Sequence, residues 1–190
     1  VKNGNRIFLT GFMTSGKSTI GKILANVLGY DFFDMDREIE NRTGKRITEI
    51  FEEEGEKYFR RLETAMLFEL SRKENSVVAL GGGTLTNEEN LKLCKKSGIV
   101  IYLKVSPETL FQRLKRKTDR PLFRDLVLQG NSEEEILLKI KKMLNEREKF
   151  YKEADIIFET ENKHVGKSVD ELVTTIKRYK REKDKDKSEH

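Results

Sequence analysis

The chain has one cysteine, two prolines and no tryptophan in 190 residues. A lone thiol, Cys94, cannot close an intrachain disulfide, so a reducing cytoplasm is its natural setting. Its neighbours, Leu93 and Lys95-Lys96, make it read as a helix-surface or half-buried thiol and not a nucleophile. Pro107 and Pro121 stand alone, and no Pro/Gly-rich linker divides the chain. Long hydrophobic runs are also missing, and the apolar stretches are too short to cross a bilayer. Residues Val1 to Arg6 lack the apolar centre of a signal peptide, and Val1 in place of methionine leaves room for a longer parent chain. There is little excess of one charge: 38 Lys+Arg against 33 Asp+Glu, a net +5. Residues 177–190 hold seven of those bases and four of those acids, so most of the excess is terminal. The end of that stretch, from Lys183 to His190, interleaves no aromatic residues for base stacking. Residues 179–190 are therefore expected to be a disordered, solvated tail, and neither nucleic acid nor membrane is expected as a partner.

What is present is a charged globule, with 37% charged and 36% hydrophobic residues. Its length suits one domain with a real core. Short β-rich runs near 6–10, 31–34, 76–80, 99–104 and 155–160 alternate with amphipathic stretches. Helices fit near 17–28, 36–42, 47–53, 56–73, 87–96, 107–116, 133–152 and 167–180. Such alternation predicts an α/β fold with a parallel sheet covered on both faces. Ligands of such sheets sit at the carboxyl ends of the strands. Two segments fall outside that core: a helical insertion over 36–62, and 117–131, a lid-like stretch of mixed charge containing Pro121 and Gly130.

The stretch Gly11-Phe-Met-Thr-Ser-Gly-Lys17-Ser18-Thr19 follows the apolar run Ile7-Phe8-Leu9. It fits G-x-x-x-x-G-K-[ST], the phosphate-binding loop, between a strand and a helix. Gly11 and Gly16 let backbone N–H groups turn inward around phosphate oxygens, and the following helix points its positive dipole end at them. Lys17 can reach the β- and γ-phosphates, and Ser18 can ligate Mg²⁺. The partner elements of two large nucleotide-hydrolysing classes are missing. The nearest approach to an Asn-Lys-x-Asp base reader is Asn162-Lys163-His164-Val165, which lacks the aspartate. The apolar strand Val77-Val78-Ala79-Leu80 runs into Gly81-Gly82-Gly83 instead of ending in an acid. The acids follow the second strand, as Asp34 and Asp36. Their period-2 spacing lets both face one way; one can hold Mg²⁺ and the other can accept a hydroxyl proton. Against this stands the plainer role of Asp36 as N-cap of a helix beginning at Arg37.

Three consecutive glycines beside a strand are entropically costly and make sense where something must approach the backbone closely. Arg147 falls on the apolar stripe Ile136, Ile140, Met143/Leu144, Phe150/Tyr151, where an arginine must snorkel or meet an anion. Arg60 lies beside the stripe Phe59, Leu62, Met66, Leu70, with Glu63 three residues on to hold its guanidinium. Two pre-aimed arginines describe a bidentate carboxylate site, although either alone is more often structural. Arg120 and Arg124 in the lid could close on a transferring phosphoryl group.

Over residues 6–178 the chain resembles the shikimate kinases. The features that carry the resemblance are Gly11–Thr19, Asp34-Met-Asp36, Phe59-Arg60-Arg61-Leu62-Glu63, Leu80-Gly-Gly-Gly-Thr84, Arg120-Pro121-Leu122, and Arg147 with Tyr151. The resemblance implies a three-layer α/β/α P-loop kinase fold with a five-stranded parallel sheet. It implies one domain over 1–178, with a substrate-binding segment at about 34–62 and a lid at about 117–131. It implies ATP-dependent transfer of phosphate to the 3-hydroxyl of shikimate, in aromatic amino acid biosynthesis, by a cytoplasmic monomer. Lys17, Asp36 and Arg120 would be catalytic, with Asp36 as base. Thr14, Ser15, Gly16, Lys17, Ser18, Thr19, Arg113, Arg120 and Pro121 would hold ATP, Arg113 and Pro121 at the adenine. Asp36, Arg60, Gly81, Gly82, Gly83 and Arg147 would hold shikimate, and Ser18 and Asp34 would serve Mg²⁺. The chain departs from the family at Thr14, where many members carry glycine. It also lacks an arginine near Asn162-Lys163, where Lys163 or His164 could substitute on the adenine side.

Overall fold

The computed structural model describes residues 5–115, 132–161 and 163–188. The apolar runs become five strands: β1 (Arg6–Thr10), β2 (Asp31–Asp34), β3 (Ser76–Ala79), β4 (Ile99–Lys104) and β5 (Ile156–Glu159). They pair in parallel in the order β2-β3-β1-β4-β5. Among the described residues the connecting helices are α1 (Lys17–Leu28), α2 (Met35–Thr43), α3 (Ile47–Leu70), α4 (Glu88–Ser97), α5 (Pro107–Lys115), α6 (Glu133–Tyr151) and α7 (Val165–Ser188). A single 3-10 turn, Thr84–Thr86, stands between β3 and α4.

Strand alternation sends neighbouring side chains to opposite layers. Ile7 and Leu9 of β1 pack with Ile20 and Leu24 of α1 and with Val169, Leu172 and Ile176 of α7. Phe8 points the other way, into a core shared with Val78, Val100 and the apolar faces of α2 and α3. Tyr102 of β4 lies under α5 and α6, among Leu110, Phe111, Ile136 and Ile140. Both faces of the sheet are thus covered, as the near-continuous apolar strands predict. Each fully buried aliphatic side chain contributes about 1.5–3 kcal/mol relative to exposure. Gly21 sets the approach of α1 to the sheet, because a Cβ there would stand 2.6 Å from the Phe32 ring.

Three expectations change. Cys94 is fully buried, not half-exposed, because position 94 lies on the face of α4 that meets the sheet core. Burial there pushes its thiol well above the ordinary thiol value. Residues 179–188 of the expected disordered tail are helical, because α7 continues to Ser188; 189 and 190 lie outside the described residues. A helix already anchored by its apolar face extends without a new nucleation step, and Lys180 lies four residues before Asp184 with a favourable charge interaction. Residues 181–185 are exposed. The two helices expected over 47–53 and 56–73 form one run, α3, interrupted at Gly55 (φ 79°, ψ 169°) and ending at Leu70. The lid stretch 117–131, with Arg120, Pro121 and Arg124, lies outside the described residues, as does Asn162.

Candidate active site

The phosphate loop joins β1 to α1 at the carboxyl edge of the sheet. Gly11 (φ 142°) and Gly16 (φ 103°) take left-handed backbone that side chains resist. At Gly11 a Cβ would also stand 2.8 Å from the Leu103 carbonyl oxygen. Thr14 adopts φ 62°, an outlier for a β-branched residue. Two contacts from α5 meet it there. Thr14 Oγ1 donates to the Leu110 carbonyl at 3.4 Å. Arg113 Nη1 donates to the carbonyls of Thr14 (3.3 Å) and Ser15 (3.2 Å). Burial lowers the Arg113 pKa, with Glu161 opposing.

Lys17 Nζ arches back over the loop and donates to the carbonyls of Gly11 (2.8 Å) and Phe12 (3.0 Å). Ser15 is buried, and its hydroxyl has no hydrogen-bond partner among the described residues. Thr19 is exposed in the first turn of α1. Ser18 Oγ donates to Asp34 Oδ2 at 2.5 Å. The two expected metal-binding residues, sixteen positions apart, therefore meet.

Asp34 ends β2 and stands at the N-cap of α2, and Asp36 lies inside the first turn. The alternative role of Asp36 as the N-cap is thus overturned, because α2 begins at Met35. An acid in the first turn is favoured by the helix dipole.

Beyond β3, each glycine of the triplet accommodates a different group. A Cβ at Gly81 would stand 2.5 Å from Glu63 Oε1 and 3.2 Å from Asp36 Oδ1. At Gly82 it would stand 3.5 Å from Arg147 Nη1 and 3.7 Å from both the Gly11 carbonyl oxygen and the Met13 nitrogen. At Gly83 it would stand 2.7 Å from Arg60 Nη1. The absence of side chains over Gly81–Gly83 therefore makes room for two acids and two guanidinium groups beside the phosphate loop.

Arg60 is held on two sides. Its Nη1 donates to Glu63 Oε2 at 2.7 Å and its Nη2 to Glu56 Oε1 at 3.0 Å. Burial works against the Arg60 charge; Glu63 and Glu56 more than offset it and hold its pKa above the ordinary value. Glu63 is buried, and its second oxygen accepts from Thr84 Oγ1 at 2.6 Å. Arg147 approaches from α6, over the Phe12 ring. Four residues on, Tyr151 donates its hydroxyl to the Gly82 carbonyl at 2.5 Å.

The expected residues of the acceptor side thus converge, and Lys163, expected on the adenine side, pairs with Glu171. Sequence reasoning missed Glu56, Thr84 and Phe12. Glu56 was findable, four residues before Arg60 on one helix face. Thr84 and Phe12 lie inside motifs that the sequence singles out, but the contacts they make are not legible until the chain is folded.

Comparison with known proteins agrees with this geometry. A family model described as shikimate kinase matches residues 13–177. The shikimate kinase of Chlorobium limicola is 50% identical over 182 residues, which cover 96% of this chain and 92% of that protein. A crystal structure of the shikimate kinase of Bacteroides thetaiotaomicron matches with a TM-score of 0.83 at 38% identity, covering 90% of this chain and 98% of that one. The Acinetobacter baumannii shikimate kinase, in complex with shikimate, matches at 0.81 and 36%, covering 92% and 94%. With its phosphate loop beside an acid and two braced arginines, and with these matches over nearly its whole length, the chain belongs to the shikimate kinase family.

Proposed function

We infer that the chain transfers the γ-phosphoryl group of ATP to the 3-hydroxyl of shikimate, feeding aromatic amino acid biosynthesis. The observation that carries this is the convergence of Asp36, Arg60 and Arg147 on Gly81–Gly83, with Gly82 facing the phosphate loop. A ring bearing a carboxylate at one end and hydroxyls at the other suits that arrangement. Arg60 and Arg147 hold the carboxylate through charge-assisted hydrogen bonds. Gly81, Gly82 and Gly83 let the ring lie close to the backbone. Asp36 accepts the proton of the attacking hydroxyl.

On the donor side the backbone of Thr14, Ser15 and Gly16 cradles the phosphates, with Thr19 in the same first helical turn. Lys17 releases its loop carbonyls and neutralises charge on the transferring group. Arg113, already against the loop, takes the adenine side, and Arg120 and Pro121 act from beyond the described residues. Ser18, at the start of α1, and Asp34, at the end of β2, are brought together by their hydrogen bond and would offer Mg²⁺ two hard oxygen ligands. An ion held by these two side chains would leave room for water and phosphate ligands, as Mg²⁺ prefers. When bound, the ion would supply neutralisation of the phosphate charge. The setting we assign is a cytoplasmic monomer; among the described residues no helix is long and apolar enough to cross a membrane.

The test is a coupled assay of ADP release with shikimate, quinate and gluconate as acceptors. Shikimate is expected to give the highest kcat/KM. No shikimate-dependent release, or a preference for either other acid, would overturn the reading.

A further inference from the structure

Tyr151 is a phenol in a place that asks only for a ring. It is 1% exposed, and its ring packs against Tyr102 at 5.0 Å between centroids. Phenylalanine would fill the same volume. A hydroxyl buried to that degree costs stability unless it is bonded. Here it is bonded, but not to the core. It donates to the Gly82 carbonyl, and the charge of Arg147, one turn earlier on the same helix, acts on it. A tyrosine hydroxyl has one donor and two acceptor sites, so it can give its proton to the carbonyl and receive one from the guanidinium. The spacing of Arg147 and Tyr151 by four places both on one face of α6. Burial pushes the hydroxyl up to about 12, with Arg147 opposing, so it stays protonated throughout a neutral assay and keeps its donor.

We propose that the Tyr151 hydroxyl is a positioning group for the acceptor: it ties the Arg147 guanidinium to the Gly82 carbonyl. It thereby sets the carboxylate-binding arginine in register with the backbone that faces the ring. The chain needs such a tie because the two groups come from elements far apart in sequence, and Gly82 has no side chain with which to reach Arg147. Arg147 Nη1 stands 3.5 Å from where a Gly82 Cβ would be, close enough for one hydroxyl to serve both. Tyr151 does not touch substrate; it acts through Arg147 and Gly82. The inference rests on the reading of those two as acceptor-site groups.

The test is Tyr151→Phe, assayed beside wild type, Arg147→Ala, the double variant, and Tyr102→Phe as a control for loss of another buried hydroxyl. Losing one hydrogen bond to a charged partner is expected to raise KM for shikimate about 5- to 20-fold. KM for ATP and kcat are expected to stay within about twofold, and Tm within a few degrees. In the Arg147→Ala background the effect of Tyr151→Phe is expected to shrink to about twofold, since the group it positions is gone. Tyr102→Phe should leave KM for shikimate unmoved. An unchanged KM for shikimate in Tyr151→Phe overturns the proposal. So do equal changes in both KM values, full additivity with Arg147→Ala, the same change in Tyr102→Phe, or a Tyr151→Phe protein that does not fold. Failure of wild type to use shikimate would instead sink the functional reading on which the proposal stands.

Discussion

Lys17 and Thr14 show two ways in which a residue can depend on its loop. Lys17 bonds the loop's own carbonyls at 2.8 and 3.0 Å, so the ammonium sits over the cradle where phosphate would bind. Its removal takes away transition-state charge stabilisation without opening a core. Lys17→Ala is expected to lower kcat by about 10²–10³, with an unchanged far-UV CD spectrum; a near-normal kcat would contradict the role. Thr14 is the opposite case, a side chain kept at a glycine-like angle of 62°. Left-handed backbone at a β-branched residue costs on the order of 1–3 kcal/mol. Its compensating hydrogen bond to Leu110 is long, 3.4 Å. Thr14→Gly is therefore expected to raise Tm by about 2–4 °C. A fall in Tm would show that the link to α5 outweighs the strain. The sequence marks Thr14 as unusual by its place in the motif, but the angle that makes it so belongs to the folded loop.

The elements are read from the sequence best where periodicity is strong and worst where one residue interrupts it. The apolar stripe of α6 is buried at Ile136, Ile140, Leu144 and Tyr151, as its spacing predicts, and Arg147 stands where the stripe meets the site. In α3 the interruption is Gly55, whose angles (φ 79°, ψ 169°) lie in a region almost confined to glycine. The turn redirects the chain immediately before Glu56 and Arg60. Gly55→Ala is expected to cost about 1–3 kcal/mol, seen as a lower Tm, and to raise KM for shikimate more than KM for ATP. Equal changes in the two would mean that the kink does not aim Arg60. Cys94 was misplaced because two lysines follow it; which face of α4 meets the sheet depends on packing, not on adjacent residues.

At the scale of the molecule, burial of ionisable groups sets the pH window of stability. Tyr151 and Tyr179 are pushed from 10.0 to about 12, chiefly by burial, and Asp155 adds to the shift at Tyr179. A pKa raised on folding gives stability that is full below the unfolded value and lost as pH rises through the folded one. The buried Cys94 thiol acts in the same direction. Glu161 is shifted the other way, held below its ordinary value by Ser106, so its contribution is lost as pH falls below about 4.5. Tm is expected to be level from about pH 6 to pH 9 and to fall between about pH 10 and pH 12, by scanning fluorimetry across that range. A Tm that stays level to pH 12 would contradict the burial of these phenols.

The sequence by itself determined the strand–helix alternation, the phosphate loop, the pairing of Glu63 with Arg60 and the acids at 34 and 36. These are local, set by spacing within one or two turns of chain. Only the tertiary structure decided what Gly81, Gly82 and Gly83 make room for, that Ser18 meets Asp34, and that Tyr151 bonds the Gly82 carbonyl. Those contacts link residues as many as 69 positions apart. Such distances are closed by the burial of the sheet's two faces, and no local pattern encodes them.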